Sequence, residues 1–267
     1  MPPRVTRHFV DVPQGTIHYA AAGEGDPVLL LHQTPRSWDE YRDVLPLLGR
    51  TRRAIAMDTI GFGDSVPLPP ADDSIEAWSE VVLALLDAVE IERIDLVGHH
   101  TGAVIAMETA GRAPDRVRSV VLSSSPFYEP EARAAEAAGR AVVDDVERRP
   151  DGSHLLELWR IRAAFYPEGN VDLLERFIVD ALRAGLPAAE GHRVVARYDT
   201  QDAVRRISCP VLLIGATADP YAYPVLADLR AALPHAEVTE IEGGMVPLPD
   251  QLPEEFATAV ERFLERL

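Results

Sequence analysis

The stretch "LVGHHTGA", Leu96 to Ala103, places an imidazole, His100, between two glycines, with a second imidazole, His99, beside it. A third, His32, closes the apolar run "PVLLLH". A histidine with a pKa near 6.5 carries protons close to neutral pH, as acid or as base. All three stand at the ends of short apolar runs that read as strands, where open α/β sheets bind their ligands. The single cysteine, Cys209 in "ISCPVLLIG", has no activating neighbour and reads as a small buried residue. One cysteine also excludes an intrachain disulfide.

The elements that must position these residues are legible from pattern. "HFVDVPQGTIHYAAAG" alternates around Pro-Gln-Gly and predicts an antiparallel hairpin. "PVLLLH", "RRAIAMD", "RIDLVGH", "VRSVVLSSS", "PVLLIGATADP" and "AEVTEIEGG" are short apolar runs suited to strands, several buried on both faces. Between them lie helical patterns: "SWDEYRDVLPLL", "SIEAWSEVVLALLDAVEI" with Ser74 as N-cap, "TGAVIAMETAGRAP", "LADLRAALP" and "PEEFATAVERFLERL". This alternation predicts an α/β fold, a mostly parallel sheet flanked by helices. The alternation stops between about Pro126 and Ser208. That segment, rich in Ala, Arg and Glu, reads as a helical cap, residues 126–208, inserted into a core of 1–125 and 209–267.

The chain has 267 residues, 47% of them apolar, enough for a substantial core. Its 43 acidic residues outnumber 26 basic ones, a net charge of −17, and every fixed cation is an arginine. That balance excludes nucleic acid as a partner, because phosphates are repelled. No apolar run is long enough for a membrane span and no signal core is visible, so a soluble, cytoplasmic protein acting on a small molecule is expected.

The order of motifs resembles the α/β-hydrolase fold over nearly the whole chain outside the cap. "HQTP", His32 to Pro35, resembles the H-G-x-P loop. "MDTIGFGDSVP" resembles the D-x-x-G-x-G-x-S loop, and "GHHTG" resembles the nucleophile elbow, whose flanking glycines let a tight strand-to-helix turn close. "GATADP" matches the loop that carries the acid, and "LPEEFATAVERFL" the last helix. The resemblance implies Asp219 as that acid and no metal or cofactor. It also implies backbone oxyanion donors at Thr101 and Thr34.

Two positions depart from the pattern. His100 replaces the serine, aspartate or cysteine of the elbow. In "IEGGMVPLPDQLPEEF" the triad histidine is either replaced by Met245 or deleted, and none follows His235. An imidazole has been lost on one side of the site and gained on the other. From the elbow, His100 reaches toward the vacated space, and Asp219 is placed to orient it. The expectation is a His100–Asp219 acid/base dyad with a backbone oxyanion hole, acting on a small carbonyl-containing molecule. The chemistry would be water-activated hydrolysis or cofactor-free lyase, isomerase or cyclase chemistry.

The alternative is a catalytically silent, ligand-binding member of the fold. A third reading recruits a serine from Ser123 to Ser125. A zinc site from His32, His99, His100 and Asp219 is disfavoured, since adjacent side chains at 99 and 100 point apart. His32, Gln33, His99, Trp38 and Tyr221 are the expected pocket residues. His32 and His99 each carry a competing role in local packing, Trp38 one as a staple for the next helix. Tyr223 also follows the acid closely. Phe127, Tyr128, Trp159, Phe165, Tyr166 and Phe177 either face the ligand or form the cap's own core.

Overall fold

A computed structural model describes residues 2–69, 72–127, 144–185 and 187–267. Tyr128 lies outside the described residues. Eight strands form one sheet: β1 (Thr6–Val12), β2 (Gly15–Ala22), β3 (Pro27–Leu31), β4 (Arg53–Met57), β5 (Ile94–His99), β6 (Val117–Ser123), β7 (Val211–Ala216) and β8 (Glu237–Ile241). Their order is β1-β2-β4-β3-β5-β6-β7-β8. The β1–β2 hairpin and its β2–β4 pairing are antiparallel; the other pairs are parallel.

This order sets the place of the site. The chain leaves β3 for β4 on one side, then crosses back over β3 to begin β5 on the other. The connections therefore diverge at the carboxyl ends of β3 and β5, where a crevice opens. Leu31 of β3 pairs with Gly98 of β5, and His99 pairs with Ser123 of β6. The loop at residues 32–37 and the turn at 99–101 thus meet at one level of the sheet.

The central strands are apolar throughout because both faces are covered; every residue of β5 and β7 is buried. On one face pack α2 (Ile75–Ala88) and α3 (Thr101–Arg112). Ser74 caps α2 by accepting the Ala77 N–H at 3.1 Å, and Ile75, Trp78, Val82, Leu85 and Leu86 form its buried stripe. The other face holds α1 (Leu45–Leu48) and the terminal helix α10 (Pro253–Leu264). The segment "SWDEYRDVLPLL" is not one helix. It forms a 3-10 turn, Trp38–Tyr41, followed by α1 with Pro46 in its first turn. A proline accepts that place but not an interior one. Cys209 is half-buried rather than buried, and burial pushes its thiol up to about 11.

Between β6 and β7 the described residues form α4 (Ser153–Ala163), α5 (Val171–Ala184), α6 (Pro187–Arg197) and α7 (Thr200–Arg206), and α8 (Leu226–Ala232) joins β7 to β8. Leu158, Tyr166, Leu173, Leu174, Phe177 and Ala181 make a small core of their own, with Trp159 and Phe165 packed on it. Of the candidate ligand-facing aromatics, Trp159, Phe165, Tyr166 and Phe177 therefore serve the packing of these helices. Phe127 belongs to the main core.

A buried charge network fastens α5 to the loop after β3. The Nε of Arg36, fully buried, donates to Asp180 Oδ2 at 2.8 Å, and another of its nitrogens bonds Asp250 of α9 (Leu248–Gln251). Ser37 Oγ donates to Asp180 Oδ1 at 2.9 Å. Arg176 meets Asp39 at 2.7 Å and Asp250 at 2.6 Å. No helix among the described residues is long and apolar enough to cross a membrane.

Candidate active site

At the end of β5 the backbone turns sharply into α3. His100 takes φ 47° and ψ −113°, a conformation that costs a non-glycine residue energy. The turn closes only because its flanks lack side chains. A Cβ on Gly98 would stand 2.1 Å from the Gly102 carbonyl oxygen, and one on Gly102 only 1.9 Å from that of Leu31. The His100 N–H is anchored on the Ser123 carbonyl at 3.0 Å.

The His100 ring reaches the loop after β7. Its Nε2 lies 2.7 Å from Asp219 Oδ2. The other carboxylate oxygen, Oδ1, accepts the N–H groups of Tyr221 at 2.9 Å and Ala222 at 3.1 Å. Burial raises the Asp219 pKa, but the His100 charge, its hydrogen bond and the two backbone donors outweigh it and bring the value to about 2. An ionised carboxylate only accepts, so the proton facing it sits on Nε2. Nδ1 is then the basic nitrogen, and among the described residues it has no partner. In an ordinary triad the acid contacts Nδ1 and Nε2 does the work; here the two nitrogens have exchanged places. His100 keeps 13% of its side chain open while Asp219 is closed off.

The neighbouring groups are mostly spent on local structure. His99 is fully buried: its Nε2 meets the Val246 carbonyl at 2.8 Å and its Nδ1 the Ser123 hydroxyl at 3.0 Å. A carbonyl cannot donate, so Nε2 carries the proton and Nδ1 accepts. Burial first, then the charge of His100, push its pKa down to about 3, and the ring stays neutral. It stands edge-to-face against His100, 4.8 Å between centroids. His32 lies 2.7 Å from the Gln33 carbonyl through Nδ1 and accepts the Thr59 N–H at 2.9 Å through Nε2.

Gln33, which stands where the H-G-x-P loop has glycine, turns its amide onto buried Glu40. Its N–H donates to Oε2 at 2.9 Å and its Nε2 to Oε1 at 2.5 Å, with Val246 O at 3.4 Å. Burial raises the Glu40 pKa to about 8, against the pull of Arg36. Trp38 donates its backbone N–H to Asp58 at 2.6 Å, and its ring lies under the Arg7 guanidinium and 6.3 Å from the His18 ring. Tyr221 is 41% exposed, with its ring 5.0 Å from that of Phe165.

The expected oxyanion donors lie side by side. Thr34 Oγ1 is 2.9 Å from Thr101 Oγ1, and the Thr34 N–H points at the same Thr101 oxygen across a long 3.4 Å. The Thr101 N–H belongs to the first turn of α3 and has no acceptor within the helix. Above them, the α6 backbone at Gly191 packs on Thr34, where a Cβ would come within 2.7 Å of its side chain.

Ser123 does touch an imidazole, that of His99, but both side chains are fully buried. Ser124, at φ 45°, has a buried hydroxyl with no hydrogen-bond partner among the described residues. A different trio, His18, Asp58 and Asp64, brings possible metal-ligand atoms within 4.8 Å of one another. Arg7 already bonds both His18 and Asp64 there, filling the place of a cation. Two open clefts of about 520 and 430 Å³ lie away from His100, the larger at the amino ends of the strands, the smaller beside the β1–β2 hairpin. Sequence reasoning missed Arg36, Glu40 and the Asp144–Arg162–His192 cluster described below. Lone charged residues in a helical segment carry no periodic signal of their partners.

Residues 28–259 match the model of the Alpha/beta hydrolase family. The chain belongs to this family. It is 26% identical over 277 aligned positions to haloalkane dehalogenase 2 of Mycobacterium tuberculosis (strain ATCC 25618 / H37Rv), covering 96% of this chain and 94% of that protein. A shorter stretch of 107 residues is 39% identical to the 2-hydroxymuconate semialdehyde hydrolase of Pseudomonas sp. (strain CF600). It spans 39% of this chain and 38% of that enzyme. Among solved structures, the epoxide hydrolase of Vigna radiata superposes with a TM-score of 0.80 at 20% identity, covering 98% of each chain, a likeness of fold.

Proposed function

We infer that this α/β hydrolase is an enzyme in which His100 and Asp219 act as an acid/base dyad on a small carbonyl-containing molecule. The observation that carries this reading is the 2.7 Å contact through Nε2, which leaves Nδ1 as the free base. Residues 126–208 act as a cap over the dyad, without a metal or cofactor. Thr101 and Thr34 supply the oxyanion site, through the Thr101 N–H and the paired hydroxyls.

The apex of the turn, residue 100, carries no hydroxyl, thiolate or carboxylate nucleophile. What remains is proton abstraction beside a carbonyl, with the developing enolate held at the oxyanion site, or attack of a water activated by Nδ1. A general base of this kind contributes roughly 10²–10⁴ in rate.

The test is a panel of dienoate ring-fission compounds, enol lactones, methyl esters and β-lactones, followed by absorbance and mass. A compound consumed by the wild type and at least about 10²-fold more slowly by His100→Ala supports the reading. Consumption at wild-type rate by His100→Ala removes it. The crowding of the Thr34 N–H against Thr101 favours a second reading, a ligand-binding member without turnover. Its mark is affinity that responds to cap substitutions, with no conversion by any variant.

A further inference from the structure

The cap holds a second histidine–carboxylate pair. His192 Nε2 lies 2.7 Å from Asp144 Oδ2, repeating the atoms and the distance of the His100–Asp219 contact. Asp144 is buried and its other oxygen accepts Arg162 Nε at 2.6 Å. Burial raises the Asp144 pKa, but Arg162 and His192 together bring it to about 2. The carboxylate therefore fixes the proton on His192 Nε2. A nitrogen of Arg162, 3.3 Å away, is another donor facing the same edge of the ring. Nδ1 of His192 has no partner among the described residues. Arg162 is locked in turn over the Phe177 ring, 4.6 Å from its centroid. Two closed-off charges thus hold an imidazole that is itself 32% open.

The elements that carry the pair pack on loops of the candidate site. His192 follows Gly191, whose backbone rests on Thr34 of the oxyanion loop. Arg162 leads into Phe165, whose ring lies on Tyr221, two residues beyond Asp219. Arg162 also feels the phenols of Tyr166 and Tyr221, and Tyr166 feels Arg36 of the loop after β3. The cluster is therefore tied to both walls that flank His100, one on the Thr34 side and one on the Tyr221 side. Facing His192 are Asp144 and, from α4, Arg162; its own helix adds Glu190 and Arg193, which pair with each other at 3.4 Å.

We propose that His192, held by Asp144 and Arg162, is a second proton carrier for the site of His100, and that the substrate is an enolisable carbonyl compound with a second proton-accepting atom at its far end. The proposal rests on the acid/base reading of His100. The step balances without a co-reactant. His100 Nδ1 takes the proton from the carbon beside the carbonyl, and the C–H electron pair becomes a C=C bond. His192 enters as imidazolium, its first proton on Nε2 against Asp144 and its second on Nδ1; the displaced π pair moves along the conjugated system to the far atom, which takes the Nδ1 proton. His100 ends as imidazolium and His192 as neutral imidazole, and exchange with water restores both.

The test uses the full-length ¹⁵N-labelled protein, whose imidazole nitrogens are followed from pH 5 to 9 in wild type, His192→Gln and His100→Gln. Two imidazoles that serve one small substrate stand close enough to repel when both are charged. Removing either raises the midpoint of the other by about 0.3 pH unit or more, and the two shifts are equal because the coupling is reciprocal. Well-dispersed spectra of each variant confirm the fold, and either variant alone decides the matter. Independent midpoints overturn the proposal. On the panel compound that depends on His100, His192→Gln lowers kcat at least tenfold with KM held within threefold; an unchanged kcat overturns the proton-carrying role. Failure here is distinct from failure of the dyad. In the first case His100 still shows a protonated Nε2 and a free Nδ1; in the second it does not.

Discussion

Replacing Asp219 by asparagine tests the dyad at the level of single protons. The carboxylate accepts three hydrogen bonds: from His100 Nε2 and from the N–H groups of Tyr221 and Ala222. An asparagine oxygen can keep the two backbone donors, which turns its NH₂ toward His100. Nε2 must then accept, so the ring's proton moves to Nδ1 and the base that faces the open space is lost. Turnover should fall by about 10²–10⁴, as for a triad whose acid becomes an amide.

Stability changes with it. The Asp219 pKa falls from 3.8 to about 2 on folding, worth about 2 kcal/mol at 1.36 kcal/mol per pH unit. A depressed folded-state pKa gives stability that is present above the unfolded value and lost as pH falls through the folded one. The gap between wild type and Asp219→Asn should therefore be about 2 kcal/mol at pH 6, roughly half that at pH 3, and small at pH 2. Urea unfolding at the three pH values measures it, and ¹⁵N spectra read the tautomer. An Asp219→Asn protein with wild-type turnover and the proton still on Nε2 refutes the reasoning.

Three further outcomes follow from the same geometry. Arg36→Met leaves Asp180 and Asp250 buried without their shared cation, and should cost about 3–5 kcal/mol in urea unfolding; a loss under 1 kcal/mol contradicts the network as described. Gly102→Ala drives a Cβ to 1.9 Å from the Leu31 carbonyl, a backbone clash that cannot relax, so the variant should lose about 3 kcal/mol or more or fail to accumulate as soluble protein. Serine-directed phosphonates should leave the protein unlabelled by mass, because the apex of the turn has no hydroxyl nucleophile and Ser123 is closed off with His99; stoichiometric labelling at any serine would move the reactive centre elsewhere.

Much of this was legible in the chain itself. Continuous apolar runs fixed the central strands, because a strand covered on both faces has no polar side to show. Gly98 and Gly102 marked the tight turn, and the absence of a histidine beyond His235 was plain from the letters alone. So was the presence of an imidazole at the apex.

Direction and partnership were decided only by the tertiary structure. His100 and Asp219 are 119 residues apart, and only their contact in space shows that Nε2 is the ring nitrogen that meets the acid. Gln33, His32 and His99 have the chemistry of pocket residues. Their side chains are instead claimed by Glu40, Thr59, Ser123 and the Val246 carbonyl, since a buried polar group must find a partner and takes the nearest one. Asp144, Arg162 and His192 belong to separate parts of a helical segment with no shared period. Only the packing that brings α6 and the segment at Asp144 onto Arg162 of α4 makes them one cluster, because such side-chain contacts depend on crossing and register, which a one-dimensional pattern does not encode.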